Sequence, residues 1–197
     1  MPHTVLPAIV LALLVTVTVH GEGPPPPSPH VRIVDRELRH LLQAGLALSP
    51  TLRALVDRLE RSDVVAYVRV DEIRDGLVGR LQFINASAGA RYVLIRVVRI
   101  PTRSRQLALL AHELHHAGEV ASAPHVVDVQ TLTQEYERIG HASRHWREGA
   151  RSFETAGAIA AGKQVLKELN GRGPGPRRRP HAEVPALAMA PGVEVDD

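Results

Sequence analysis

Hydrophobic and polar residues alternate along this chain with two periods, and the switches between them outline its elements. From Asp35 to Ala44, Leu38, Leu41 and Leu42 recur at helical spacing, which predicts a first helix. Ser49-Pro50 opens a second. Ser accepts a backbone N–H at a helix start, Pro suits the first helical position, and Leu52, Leu55, Val56 and Leu59 face one way until the pattern stops near Ser62. The period then shortens. Val64 to Val70 is β-branched and aromatic, and Leu81 to Ala86 places Leu81, Phe83 and Ile84 in imperfect alternation with polar residues. Arg91 to Ile100 sets Tyr92, Leu94 and Val97 against Arg91 and Arg96. Turn formers fill Asp71 to Gly79 and Ser87 to Ala90. Connections this short predict antiparallel pairing, because a parallel crossover needs about a dozen residues or more.

The helical period returns at Gln106 to Val120. Leu107, Leu110, Ala111, Leu114 and Ala117 form a stripe, Ser104 is the expected N-cap, and Gly118 near the end is the only glycine. Two further helices are predicted, over Val126 to Ile139 and over Phe153 to Leu169. No internal repeat is visible. The resulting fold class is α+β: a small, mainly antiparallel three-stranded sheet, a central helix and further helices.

That central helix carries His112-Glu113-Leu114-His115-His116. Residues four apart on a helix share a face, so His112 and His116 can direct both imidazoles at one ion. Glu113, beside the first of them, stands where a carboxylate can take a proton from a water held by that ion. With 11 His in the chain, a random H-E-x-x-H match is expected roughly 0.04 times. The competing reading is a core helix whose histidines are satisfied by hydrogen bonds. An apolar helix that buries two imidazoles and a carboxylate needs partners for all three, and an ion supplies them at once. His115 is expected to face solvent or to support a ligand.

The sequence resembles the zincin metallopeptidases on these residues. In specific residues the likeness is confined to His112–His116; in the order of elements it extends from about Leu52 to Leu169. The chain also resembles, more loosely, uncharacterised secreted bacterial H-E-x-x-H proteins. The zincin resemblance implies a small sheet over the active helix, Zn²⁺ as cofactor, a peptide or protein substrate and a third ligand from the later helices. The metzincin pattern needs Gly and His where this chain has Glu119 and Ser122, so that subclass is rejected. Glu119 lies about 10 Å along the axis from His112, too far to share its ion, and is expected to support a ligand or to cap the helix. Glu154 is the first candidate. Helical spacing back from Ala158, Ala161 and Val165 sets it on or beside the buried face of the last helix, as in gluzincins. Its competing role is an ordinary acidic residue at a helix start. Glu135 is the second candidate, and Asp128, His125, His141 and His145 complete the set. Tyr136, His141 and His145 are candidate donors to a tetrahedral oxyanion, and the Leu81–Ala86 segment is the candidate edge for an extended peptide.

Composition narrows this reading. The chain has no cysteine, so any metal must be held by His, Glu or Asp, and an exported form would carry no disulfide. Residues 1–21, with an apolar run from Val5 to Val19, are expected to act as a secretory signal, or as a short membrane anchor if uncleaved. Pro24–Pro27 is an extended spacer in a linker over 22–30, the folded region spans 31–170, and a Gly-, Pro- and Arg-rich tail over 171–197 is expected to be disordered. A formal charge of +3 with few aromatic residues argues against a nucleic-acid partner. The expected protein is a secreted or periplasmic zinc peptidase, with Glu113 catalytic and His112, His116 and Glu154 on the metal. The alternative is an exported metal-binding or interaction module without turnover.

Overall fold

The computed structural model describes residues 29–73, 77–87, 89–142 and 153–171. The expected signal, residues 22–28 of the expected linker and residues 172–197 of the expected tail lie outside them, as does His145, whereas Gly171 is the last residue of the final helix. Short strand β1 (Val31–Ile33) leads into helix α1 (Arg36–Leu48) and helix α2 (Pro50–Glu60). Asp35 caps α1 by accepting Leu38 N–H at 2.8 Å, and Ser49 caps α2 through Leu52 N–H at 3.0 Å. Strands β2 (Val64–Val70), β3 (Gly79–Ser87) and β4 (Ala90–Val97) follow, with Gly89 turning the β3–β4 hairpin at φ 78°. The central helix α3 (Arg103–Ser122) comes next. It is followed by α4 (Val129–Ile139), by strands β5 (His141–Ala142) and β6 (Phe153–Glu154), and by α5 (Ala156–Gly171).

The α+β class holds, but the sheet differs from the expectation. It has four strands in the order β1-β2-β4-β3. Only β3 and β4 are antiparallel; β1–β2 and β2–β4 are parallel. The short turns misled because β3 does not pair with β2. It passes beyond to the far edge and itself serves as the connection that lets β4 return parallel to β2. Val97 of β4 faces inward as expected, but Arg91, Tyr92 and Leu94 are reversed. Val93, Ile95 and Val97 point into the core with Arg91, while Tyr92 and Leu94 lie half-exposed on the other face. Burying Arg91 is tolerable because every arm of its guanidinium has a partner. It grips Asp63 twice (2.8 and 2.7 Å) and donates to the carbonyls of Val120 (2.8 Å) and Ala123 (2.6 Å) at the end of α3. The central helix is thus capped by a strand residue.

One core runs between the inner face of the sheet and the helices, and α3 passes through it. Leu110, Ala111, Leu114 and Ala117 of α3 are fully buried, beside Val64, Val68, Val93 and Ile95 of the sheet and Leu52 and Leu59 of α2. The expected N-cap of α3, Ser104, lies inside the helix; Thr102 stands at the cap position. On its other side α3 packs against α5, whose small residues allow a close approach. A Cβ on Gly162 would lie 3.0 Å from Ala108 O, and one on Gly157 would collide with His115 Nε2. Among the described residues no helix is long and apolar enough to cross a membrane.

Candidate metal centre

The helical spacing of His112 and His116 has the expected result. Their Nε2 atoms converge to 3.2 Å, with the rings edge to face. Glu154 completes the group, with Oε2 3.0 Å from His112 Nε2. One ligand atom from each of the three lies within 4.8 Å of the others. Ligand bonds of ~2.0–2.1 Å in a tetrahedron set neighbouring donors ~3.3 Å apart, so the two short separations suit a small divalent ion held by two nitrogens and an oxygen.

Glu154 arrives by a different route from the one expected. It lies on β6, not on the last helix, because Thr155 caps α5 and the helix begins at Ala156. β6 pairs with β5 so that Glu154 stands opposite His141. The hydrogen bond to His112, followed by burial and the His112 charge, sets the Glu154 pKa; the attractive influences prevail and lower it. For His112, burial is the largest single influence and disfavours charge, but its hydrogen bond to Glu154 and the charges of Glu113, Glu154 and Glu119 together raise its pKa.

Glu119 supports the histidines, as its distance along the helix implies. Its Oε2 is 2.7 Å from His116 Nδ1, an arrangement that places the Nδ1 proton between them and leaves the Nε2 lone pair for a metal. Its Oε1 accepts Thr155 Oγ–H at 2.6 Å and lies 3.4 Å from His115 Nε2. Burial would raise the Glu119 pKa, but the bonds from His115, His116 and Thr155 outweigh it and hold the carboxylate well below its usual range.

Glu113, next to His112 in the chain, lies against the start of β3 and is near enough to His112 and Glu154 to feel their charge. Only 4 % of it is exposed, and burial pushes its pKa up to about 8, against the lowering effect of His112. The first residue of β3, Gly79, pairs with Val97 and faces inward onto this carboxylate. A Cβ on Gly79 would overlap Glu113 Oε1 and lie 2.9 Å from its Cδ. Glycine is therefore needed here for space rather than for an unusual φ. Strand β3 forms one edge of the sheet, so the segment chosen as a candidate peptide edge is an edge, although a register shift between Phe83 and Asn85 interrupts its ladder.

The other candidates fall elsewhere. Glu135 is held by Arg138 (2.9 and 2.6 Å) and lies 3.2 Å from His125, outside the converging group. Asp128 caps α4 by accepting Thr131 N–H at 2.7 Å. Tyr136 is buried beside His116, its ring edge to face with the imidazole and its hydroxyl donating to His116 O at 3.2 Å. Burial, with Glu119 close by, raises the Tyr136 pKa far above its ordinary value. Sequence reasoning missed Gly79 and Thr155. Signals for both were present: a glycine at the start of a strand pattern marks a close backbone approach, and Thr before Ala156-Gly157-Ala158 is a helix-start signal that places Glu154 outside the helix.

Comparison with protein-family models, with curated proteins and with solved structures finds no match to this chain.

Proposed function

We propose that this protein is a zinc-dependent peptide hydrolase of the zincin type, with His112, His116 and Glu154 as the metal ligands and Glu113 as the residue that moves the proton. The observation that carries the reading is the convergence of two imidazole nitrogens and one carboxylate oxygen beside a buried second carboxylate. Zinc, when bound, supplies a Lewis acid and lowers the pKa of a coordinated water towards ~7. The chain's own residues supply the rest. Glu119 orients the His116 imidazole so that its Nε2 faces the site. Glu113 accepts a proton from the attacking water and returns it to the leaving amine, and its burial raises its affinity for that proton. His141, exposed and opposite Glu154, is the candidate donor to the oxyanion, since the Tyr136 hydroxyl is directed at a backbone carbonyl. The edge strand β3 over α3 and the later elements bringing in Glu154 support the zincin-like reading, with a gluzincin-like ligand set.

The test is metal content of the purified full chain, with peptide cleavage before and after chelation. One zinc per chain and cleavage that chelator abolishes and zinc restores are expected. Full zinc occupancy with no cleavage of a broad peptide library identifies a binding module without turnover. No zinc uptake after metal-free purification removes the metal reading altogether.

A further inference from the structure

Two parts of the site come from distant stretches of chain, and one carboxylate joins them. Glu119 on α3 accepts from His116 Nδ1 and from Thr155 Oγ. Thr155 is 4 % exposed and directly follows Glu154. A hydroxyl has one proton to donate and lone pairs to accept with. Here the proton goes to Glu119 Oε1 at 2.6 Å, and the oxygen accepts Ala158 N–H at 3.1 Å in the first turn of α5. Thr155 is therefore fixed to α3 on one side and to α5 on the other. Its neighbour Glu154 lies on a two-residue strand that, among the described residues, has β5 as its ladder partner. So short a ladder restrains a side chain weakly, and the Glu119–Thr155 bond is a buried contact, next to Glu154 in the chain, that ties this backbone to the helix carrying both histidines.

We propose that Thr155 is a positioning residue for the metal site, holding Glu154 against His112 by donating to the same carboxylate that orients His116. The inference rests on reading His112, His116 and Glu154 as the ligands. The plain rival is that Thr155 only caps α5.

Zinc affinity of the full chain, measured by competition with a chromophoric chelator, separates the two. Thr155→Val keeps the shape and loses the hydroxyl, and is expected to weaken zinc binding about 10-fold or more. Thr155→Ser restores the donor and returns affinity to near the parent value. Where Val does not fold, Thr155→Ala removes the same hydroxyl without adding bulk. Because the effect passes through Glu119, adding Thr155→Val to Glu119→Ala costs at most about a further twofold. The proposal is overturned if Thr155→Val binds zinc like the parent while melting earlier, or if its loss multiplies in full with that of Glu119→Ala. A parent that binds no zinc overturns the ligand assignment itself, an outcome distinct from a parent that binds and a variant that binds equally.

Discussion

Gly79 lies so close to Glu113 that no side chain fits between the first residue of β3 and the carboxylate. The contact joins the sheet edge to the centre of the proposed chemistry. Gly79→Ala must displace either the strand or the carboxylate, at a cost of about 1–3 kcal/mol in stability. Turnover should fall with zinc affinity unchanged, because His112, His116 and Glu154 lie on other elements. Calorimetry of Gly79→Ala in the parent and in a Glu113→Ala background checks the contact: the penalty should largely vanish in the second. An equal penalty in both would place the strain elsewhere.

Arg91 should be among the least replaceable residues outside the site. Arg91→Ala leaves the final carbonyls of α3 without their donor and removes the partner of Asp63, which predicts a loss of about 2–4 kcal/mol. Lysine cannot reproduce the fork and should recover little of it. Urea denaturation of the three proteins measures both effects; a lysine variant as stable as the parent would show that charge alone suffices.

The site and the class of fold were legible in the sequence to different depths. Leucine spacing placed α1, α2 and α3 because the 3.6-residue period is local, and it brought His112 and His116 to one face for the same reason. The pairing of β2 with β4 is non-local: nothing in Val64–Val70 says that β3 will pass to the far edge. The inward turn of Arg91 was hidden because its partners, Asp63 and the end of α3, come together only in three dimensions. Glu154 does converge with His112 and His116, but from β6 rather than from the last helix, since its placement depends on Thr155 ending the strand and starting the helix.

Glu168 provides a pH test away from the proposed metal centre. Its carboxylate accepts Ser49 Oγ–H, Thr51 Oγ–H (2.6 Å) and Thr51 N–H (3.2 Å), tying α5 to the start of α2. Burial opposes its charge, but these bonds and one from Gln164 prevail and lower its pKa from 4.5 to about 2. A lowered carboxylate pKa stabilises the fold above the unfolded value and loses that contribution as pH falls from about 4.5 towards 2. With solvent screening of this partly exposed group, the contribution is about 1–2 kcal/mol. Glu168→Gln should therefore melt earlier than the parent at pH 7 and converge with it near pH 2; a difference independent of pH would assign the effect to packing.

The ligand assignment separates two carboxylates that the sequence offered as rivals. Glu154→Ala should weaken zinc binding by about 100-fold or more, and Glu135→Ala, which breaks only the contacts with Arg138 and His125, should leave it near the parent value. Isothermal titration with Zn²⁺ gives both numbers, and the reverse ranking would move the third ligand to α4.

The most direct measurement concerns Glu113, since it tests the proton acceptor apart from the metal ligands. Glu113→Gln keeps the size of the side chain and removes the proton acceptor, and it relieves the cost of a buried charge, so the variant should fold at least as stably as the parent. Zinc content and peptide cleavage are then measured together on parent and variant. The account predicts one zinc in each and a fall in cleavage of about 100-fold or more in Glu113→Gln. Unchanged cleavage by a zinc-loaded variant would contradict it.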